Sequence, residues 1–274
     1  MAAGILPGAT MSMGIKPLED YDSWDSLSHD LQAIAALGYE AVEFGTARPR
    51  HVDIGRLKTI LTSAGLRVSG VGTGLAAVRE GLSFTSLDDT VRETALAQMR
   101  EFSEFAGALN APILVGLMQG TRKPGMELEW AMRAIADALK QSAEYASEYG
   151  TTVALESVNR YESGYNNTVE EAIQTLSRVG SSRLSLILDT FHLNIEEVSI
   201  RDAISVGLPY LSHVHLSDSN RLAPGQGHIR FSEVMDVLRA GRYRGYLTIE
   251  VAPSAGIVTS ARIARDHIMV DLKA

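Results

Sequence analysis

Eight times along the chain, a short apolar run is followed by a longer segment whose apolar residues recur at helical spacing. Few folds accept that rhythm. Strands separated by helices pair in parallel, and the helices must then cover the sheet. The strand-like runs are Met11–Ile15, Ala41–Phe44, Leu66–Val71, Pro112–Val115, Thr152–Glu156, Leu184–Asp189, Leu211–His215 and Tyr246–Glu250. The helical segments are Ser23–Leu37, Ile54–Ala64, Leu87–Leu109, Met126–Tyr149, Thr168–Val179, Glu196–Val206, Phe231–Ala240 and Val258–Leu272. Gly38, Gly65 and Gly150 supply stop signals, and Thr168 with Glu171 forms a capping box. The alternation predicts a closed (β/α)8 TIM barrel, a single catalytic domain over residues 11–274, near the roughly 250 residues usual for that fold. An open doubly wound sheet is the runner-up, but it offers one crevice at a switch point. The small, Gly/Pro-rich stretch Met1–Thr10 is expected to be a flexible leader.

In such barrels the chemistry sits at the C-terminal ends of the strands. Four consecutive strands there end in Glu156, Asp189, His215 and Glu250, separated by 33, 26 and 35 residues. Parallel pairing would bring three carboxylates and an imidazole together. That donor set suits one divalent cation, Mn²⁺ first, with Co²⁺ or Mg²⁺ as alternatives. A cation chelated by a carbonyl and its neighbouring hydroxyl acidifies the C–H between them. Glu156 and Glu250 would then act as two bases on opposite faces of the substrate, and Asp189 and His215 as ligands alone.

Further candidates lie close by in sequence. His192, Arg221 and Glu162 are placed to meet substrate hydroxyls, with Glu162 also able to orient His192. Gly72 would let backbone approach the substrate, and His228 would close the site. His213 alternates in phase with His215 one layer deeper and reads as a core histidine. Pro224–Gly227 reads as a turn, with backbone N–H groups that a phosphate could meet.

Composition narrows the partners. With 33 acidic and 25 basic residues the formal charge is −8, so nucleic acid is not expected as a partner. The longest apolar run, Ala111–Met118, falls well short of the about 20 residues a membrane span needs. Cysteine is absent, which is compatible with the cytoplasm and excludes thiolate chemistry.

The strings Glu156-Ser-Val-Asn-Arg-Tyr-Glu162, Leu188-Asp-Thr-Phe-His-Leu-Asn-Ile-Glu-Glu197 and His213-Val-His-Leu-Ser-Asp-Ser-Asn-Arg221 resemble the sugar isomerase/epimerase family with the xylose-isomerase-like barrel. They are most similar to ketose 3-epimerases of the D-tagatose and D-psicose type and to 5-keto-L-gluconate epimerases. Gly72-Thr-Gly-Leu, Glu80-Gly-Leu-Ser-Phe-Thr85, Val115-Gly-Leu-Met-Gln-Gly120 and Asn220–His228 also suggest the latter. The resemblance implies a small sugar substrate and a metal held by Glu156, Asp189, His215 and Glu250. It also implies acid/base roles for the two glutamates, substrate contacts from Glu162, His192 and Arg221, and a homodimer or homotetramer. Loop Lys16–Ser23 lacks the aromatic cluster associated with free-ketohexose epimerases, which favours keto sugar acids, with Arg122 or Lys123 near the carboxylate. An aldose–ketose isomerase would use the same metal site. Zinc-dependent abasic-site endonucleases share the barrel, but they need histidines after strands two and three, where this chain has Phe44-Gly45 and Val71-Gly72.

Overall fold

The computed structural model describes residues 6–252 and 256–271. Eight parallel strands close on themselves in sequence order, β1 pairing with both β2 and β8. They are β1 (Thr10–Gly14), β2 (Ala41–Gly45), β3 (Arg67–Gly72), β4 (Ile113–Val115), β5 (Val153–Glu156), β6 (Leu184–Asp189), β7 (Leu211–Leu216) and β8 (Tyr246–Ile249). Around them run α1 (Trp24–Ala36), α2 (Ile54–Ala64), α3 (Gly74–Glu80), α4 (Asp89–Ala108), α5 (Leu128–Glu148), α6 (Val169–Val179), α7 (Thr190–Glu196), α8 (Ile200–Gly207), α9 (Phe231–Ala240) and α10 (Ile257–Asp271).

Local chemistry accounts for the boundaries. Thr168 Oγ1 accepts from the Glu171 N–H while the Glu171 carboxylate accepts from the Thr168 N–H, so the expected capping box starts α6. Gly65 ends α2 at φ +68°, a left-handed turn that L side chains resist. Two helices differ from expectation. The polar loop after β3 holds α3, and α7 stands before the helix expected over Glu196–Val206, which is α8. α7 begins at once because Asp189 Oδ1 accepts the Phe191 N–H and caps it.

The expected leader is partly built into the barrel. Leu6 is buried, Thr10 opens β1, and the Thr10 N–H donates to Gly245 O at 3.0 Å. The rest of that stretch, residues 1–5, lies outside the described residues, as does the expected helix end at Leu272.

Period-two alternation divides the strands between two environments, interrupted where the β2–β3 and β6–β7 registers shift. Val42, Phe44, Val153, Leu155, Leu186, Leu188, Val214, Leu216, Leu247 and Ile249 pack with the helices in one large core. The opposite parity fills the barrel interior. There, Leu114, Ala154 and Ile187 form a small separate apolar cluster. Polar side chains fill other interior positions: Ser12 and Ser69 share a 2.6 Å hydrogen bond, and Glu43, His213 and Thr248 are all buried. One irregularity tunes the top of the barrel. The β6–β7 register shifts between Leu186 and Ile187, so that Leu186 pairs with Leu211 but Ile187 with His213, and Asp189 comes level with His215.

Candidate active site

Inward parity carries Glu156, Asp189 and His215 up the barrel axis, and Glu250 follows directly after β8. One donor atom from each of the four lies within 4.8 Å of all the others. His215 Nδ1 faces Glu250 Oε2 at 2.8 Å and Glu156 Oε1 at 3.1 Å. Arg221 completes the ring: Nη1 pairs with Asp189 Oδ2, Nη2 lies 3.1 Å from Glu250 Oε2, and the guanidinium stacks 4.9 Å from the Phe191 ring centre. Arg221 reaches in from a left-handed backbone, φ +62°. Hydrogen bonds on both sides hold it there, Arg221 N–H to Asp218 O at 2.9 Å and Ala252 N–H to Arg221 O at 2.8 Å.

The charges are strongly coupled. Burial disfavours the His215 imidazolium, but Glu43, Glu250 and Glu156 outweigh it and raise the pKa well above the ordinary histidine value. Burial likewise opposes ionisation of Glu250, yet Arg221 and His215 hold its carboxyl well below the usual range. Asp189 is pushed up by burial against the pull of Arg221. Such a field, dominated by carboxylates, fits a divalent cation held by Glu156, Asp189, His215 and Glu250.

The other expected residues fall in three groups. His192 is buried with Nε2 at 3.9 Å from both Glu156 Oε1 and Asp189 Oδ2. Its Nδ1 lies 2.7 Å from Asn159 Nδ2, which also donates to Glu162 Oε1 at 2.8 Å. The amide is a donor, so the network assigns the proton of His192 to Nε2, aimed at the cluster. Glu162 thus reaches the site through Asn159. Gly72 lines a cavity of about 470 Å³ together with Gly14, Lys16, Glu43 and Glu250. His228, in contrast, is exposed, its ring held by Ser219 Oγ at 3.0 Å and Asn194 Oδ1 at 3.2 Å. The turn Pro224–Gly227 wraps a carboxylate of the chain itself. Asp218 accepts from the N–H groups of Ser219 at 2.8 Å, Gly225 at 2.9 Å and Ile229 at 3.1 Å, which fills the place suggested for a phosphate. Arg122 and Lys123 are exposed.

Two contributors escaped the sequence reading. Gln119 donates to the backbone carbonyls of Gly116 at 3.0 Å and Glu156 at 3.1 Å, fixing the end of β5. Glu43, from the middle of β2, places Oε2 at 2.8 Å from His213 Nε2 and 3.2 Å from His215 Nε2. Burial works against its ionisation, but the two imidazoles prevail and lower its pKa to about 2. The available signal was a carboxylate inside the apolar run Ala-Val-Glu-Phe, which is costly to bury without partners. His213 is the core histidine expected, with Nε2 also 2.6 Å from Thr248 Oγ1.

Among known proteins, residues 31–267 match the profile of the family described as Xylose isomerase-like TIM barrel. The chain is 32% identical to the L-ribulose 3-epimerase of Mesorhizobium japonicum over 219 residues, 78% of this chain and 71% of that one. It is 37% identical to the D-psicose 3-epimerase of Enterocloster bolteae over 132 residues, 47% of this chain and 44% of that one. The solved D-allulose 3-epimerase of Methylomonas sp. superposes with a TM-score of 0.85 at 23% identity, covering 96% of this chain and 98% of that one, a likeness of fold.

Proposed function

Because the chain belongs to the xylose isomerase-like TIM barrel family, we propose that it is an epimerase inverting the carbon beside the ketone of a ketose or keto sugar acid. The observation that carries this reading is the convergence of Glu156 from the end of β5 and Glu250 from just after β8 on one imidazole nitrogen, at 3.1 and 2.8 Å. Binding a sugar does not require two such carboxylates, whereas moving a proton from one face of a carbon to the other does. The relatives named as ketose 3-epimerases support the same chemistry.

In this reading Glu156, Asp189, His215 and Glu250 hold a divalent cation, Mn²⁺ by preference, which when bound polarises the substrate carbonyl. One glutamate removes the proton beside the carbonyl and the other delivers one to the opposite face. The His192 Nε2–H and the Arg221 guanidinium orient the substrate oxygens, with Asn159 and Glu162 setting the His192 ring. Lys16 in the cavity wall meets the far end of the substrate, as do Gly72 and the backbone beside it. A homodimer or homotetramer in the cytoplasm belongs to the same proposal. Among the described residues no helix is long and apolar enough to cross a membrane.

The test is a panel of ketohexoses, ketopentoses, their phosphates and 5-keto-gluconate in D₂O with Mn²⁺-loaded protein, followed by NMR. One deuterium beside the carbonyl, together with the inverted epimer, is the expected result. Aldose product with deuterium at C1 or C2 would replace epimerase by isomerase. No exchange with any member would count against both.

A further inference from the structure

Glu43 lies on β2, three strands before the first of the four clustered residues in chain order, yet it touches one of them. We infer that Glu43 is a positioning residue for the cation centre: it holds the proton of His215 on Nε2 and so turns the Nδ1 lone pair toward Glu156 and Glu250. This rests on reading the four residues as a cation site.

The geometry leaves His215 little choice. Its Nδ1 faces two carboxylates at 2.8 and 3.1 Å, and its Nε2 faces Glu43 Oε2 at 3.2 Å. A ligating imidazole presents a lone pair on one nitrogen and a proton on the other. The nitrogen beside the cluster is Nδ1, so the proton sits on Nε2 and Glu43 accepts it.

Glu43 is itself held in place. The same Oε2 lies 2.8 Å from His213 Nε2, and that nitrogen is 2.6 Å from Thr248 Oγ1. The His213 ring stands edge-on to His215 at 5.0 Å between centroids and 84° between planes, with Tyr246 on its other side at 5.5 Å. Neighbouring strands fix the spacing, since His213 pairs with Tyr246 and His215 with Thr248. A chain of contacts thus runs through the barrel interior, from Thr248 and His213 through Glu43 to His215. A carboxylate fixed by a core histidine can orient the ring above it, which a mobile surface carboxylate cannot. Glu43, His213 and His215 have the residue types of a second cation site. A cation there would compete for His215 Nε2 and for the proton that the first site needs on that nitrogen, so the hydrogen-bonded arrangement is the one consistent with Nδ1 ligation.

Two measurements test this. The first uses the unaltered protein: with ¹⁵N-labelled histidine and Mg²⁺ bound, the His215 ring nitrogens should show the Nε2–H tautomer. A proton on Nδ1 would overturn the inference. The second compares Mn²⁺ affinity by calorimetry in Glu43→Gln and Glu43→Ala. Loss of an outer hydrogen-bond partner weakens metal binding about 10- to 100-fold, with Glu43→Gln nearer the lower figure because its amide oxygen still accepts. Folded variants that bind Mn²⁺ within twofold of wild type would remove the role of Glu43 alone. Failure of wild type itself to bind Mn²⁺ would remove the cation reading, and this inference with it.

Discussion

Gly116 is the position where one methyl group should separate catalysis from folding. It follows β4 at φ −112°, ψ −89°, outside the left-handed region, so alanine is not excluded by a positive φ. Space is the constraint. A Cβ at 116 would lie 2.6 Å from Glu156 Oε2, 0.8 Å inside the 3.4 Å at which ordinary contact begins, and 3.3 Å from Val158 Cγ2. The yielding atom is the tip of a side chain, so overpacking here should cost about 1 kcal/mol, at the low end of its usual range. For a chain of this size that lowers Tm by only about 2–4 °C. Catalysis is less tolerant: a displacement approaching 1 Å in a reacting group costs about 100-fold. Gly116→Ala should therefore keep its circular dichroism and nearly its Tm while kcat/KM falls about 100-fold, measured on the substrate that the D₂O panel identifies. Turnover within threefold of wild type in a folded variant would refute the placement of Glu156 as a proton-transfer group beside Gly116.

Three other outcomes follow from the same geometry. Glu156→Gln and Glu250→Gln should each remove turnover and leave the far-UV spectrum intact; activity surviving in either variant would end the two-base scheme. EDTA should inactivate and Mn²⁺ or Co²⁺ restore, with apparent Mn²⁺ affinity weakening as pH falls, because the raised pKa of His215 makes protons a competitor for Nδ1; calorimetry across pH checks the sign. Asp218→Asn should lose a charge-assisted bond to the Gly225 N–H, about 2 kcal/mol, lowering Tm by about 4–8 °C. Burial opposes ionisation of Asp218, but the backbone N–H groups of Ile229, Ser219, Gly227 and Gly225 lower its folded-state pKa. Its stabilisation is therefore present above the unfolded-state pKa of about 3.9 and fades as pH falls below it. Thermal melts of both proteins should converge in acid; a gap that widens there would refute the assignment.

The period-two and helical patterns were strong enough to reveal eight units, the closed barrel and the four strand-end residues. Each of these features repeats or sits at an element boundary. What stayed hidden depended on long-range geometry. Nothing local links Arg221 to Asp189 or Gln119 to the carbonyl of Glu156. Glu43 was missed because it lies mid-strand, below the rim where catalytic groups were sought, and its partner His213 is 170 residues away. α3 was obscured by Gly72-Thr-Gly74, whose glycines suggest a loop although the seven residues from Gly74 form a helix. α7 depended on Asp189 acting as its cap, a role not apparent while that residue was read only as a ligand.

The register step between Leu186 and Ile187 makes the centre depend on how one strand is slipped against the next. Extending the pairing of Leu186 with Leu211 without the step would set Asp189 beside Val214, out of phase with its neighbour. In that register Ser212 and Val214 would take the axis-facing positions, and His213 and His215 would turn toward the helices. The centre therefore depends on the unpaired Ser212, the extra residue that lets His213 and His215 stand opposite Ile187 and Asp189.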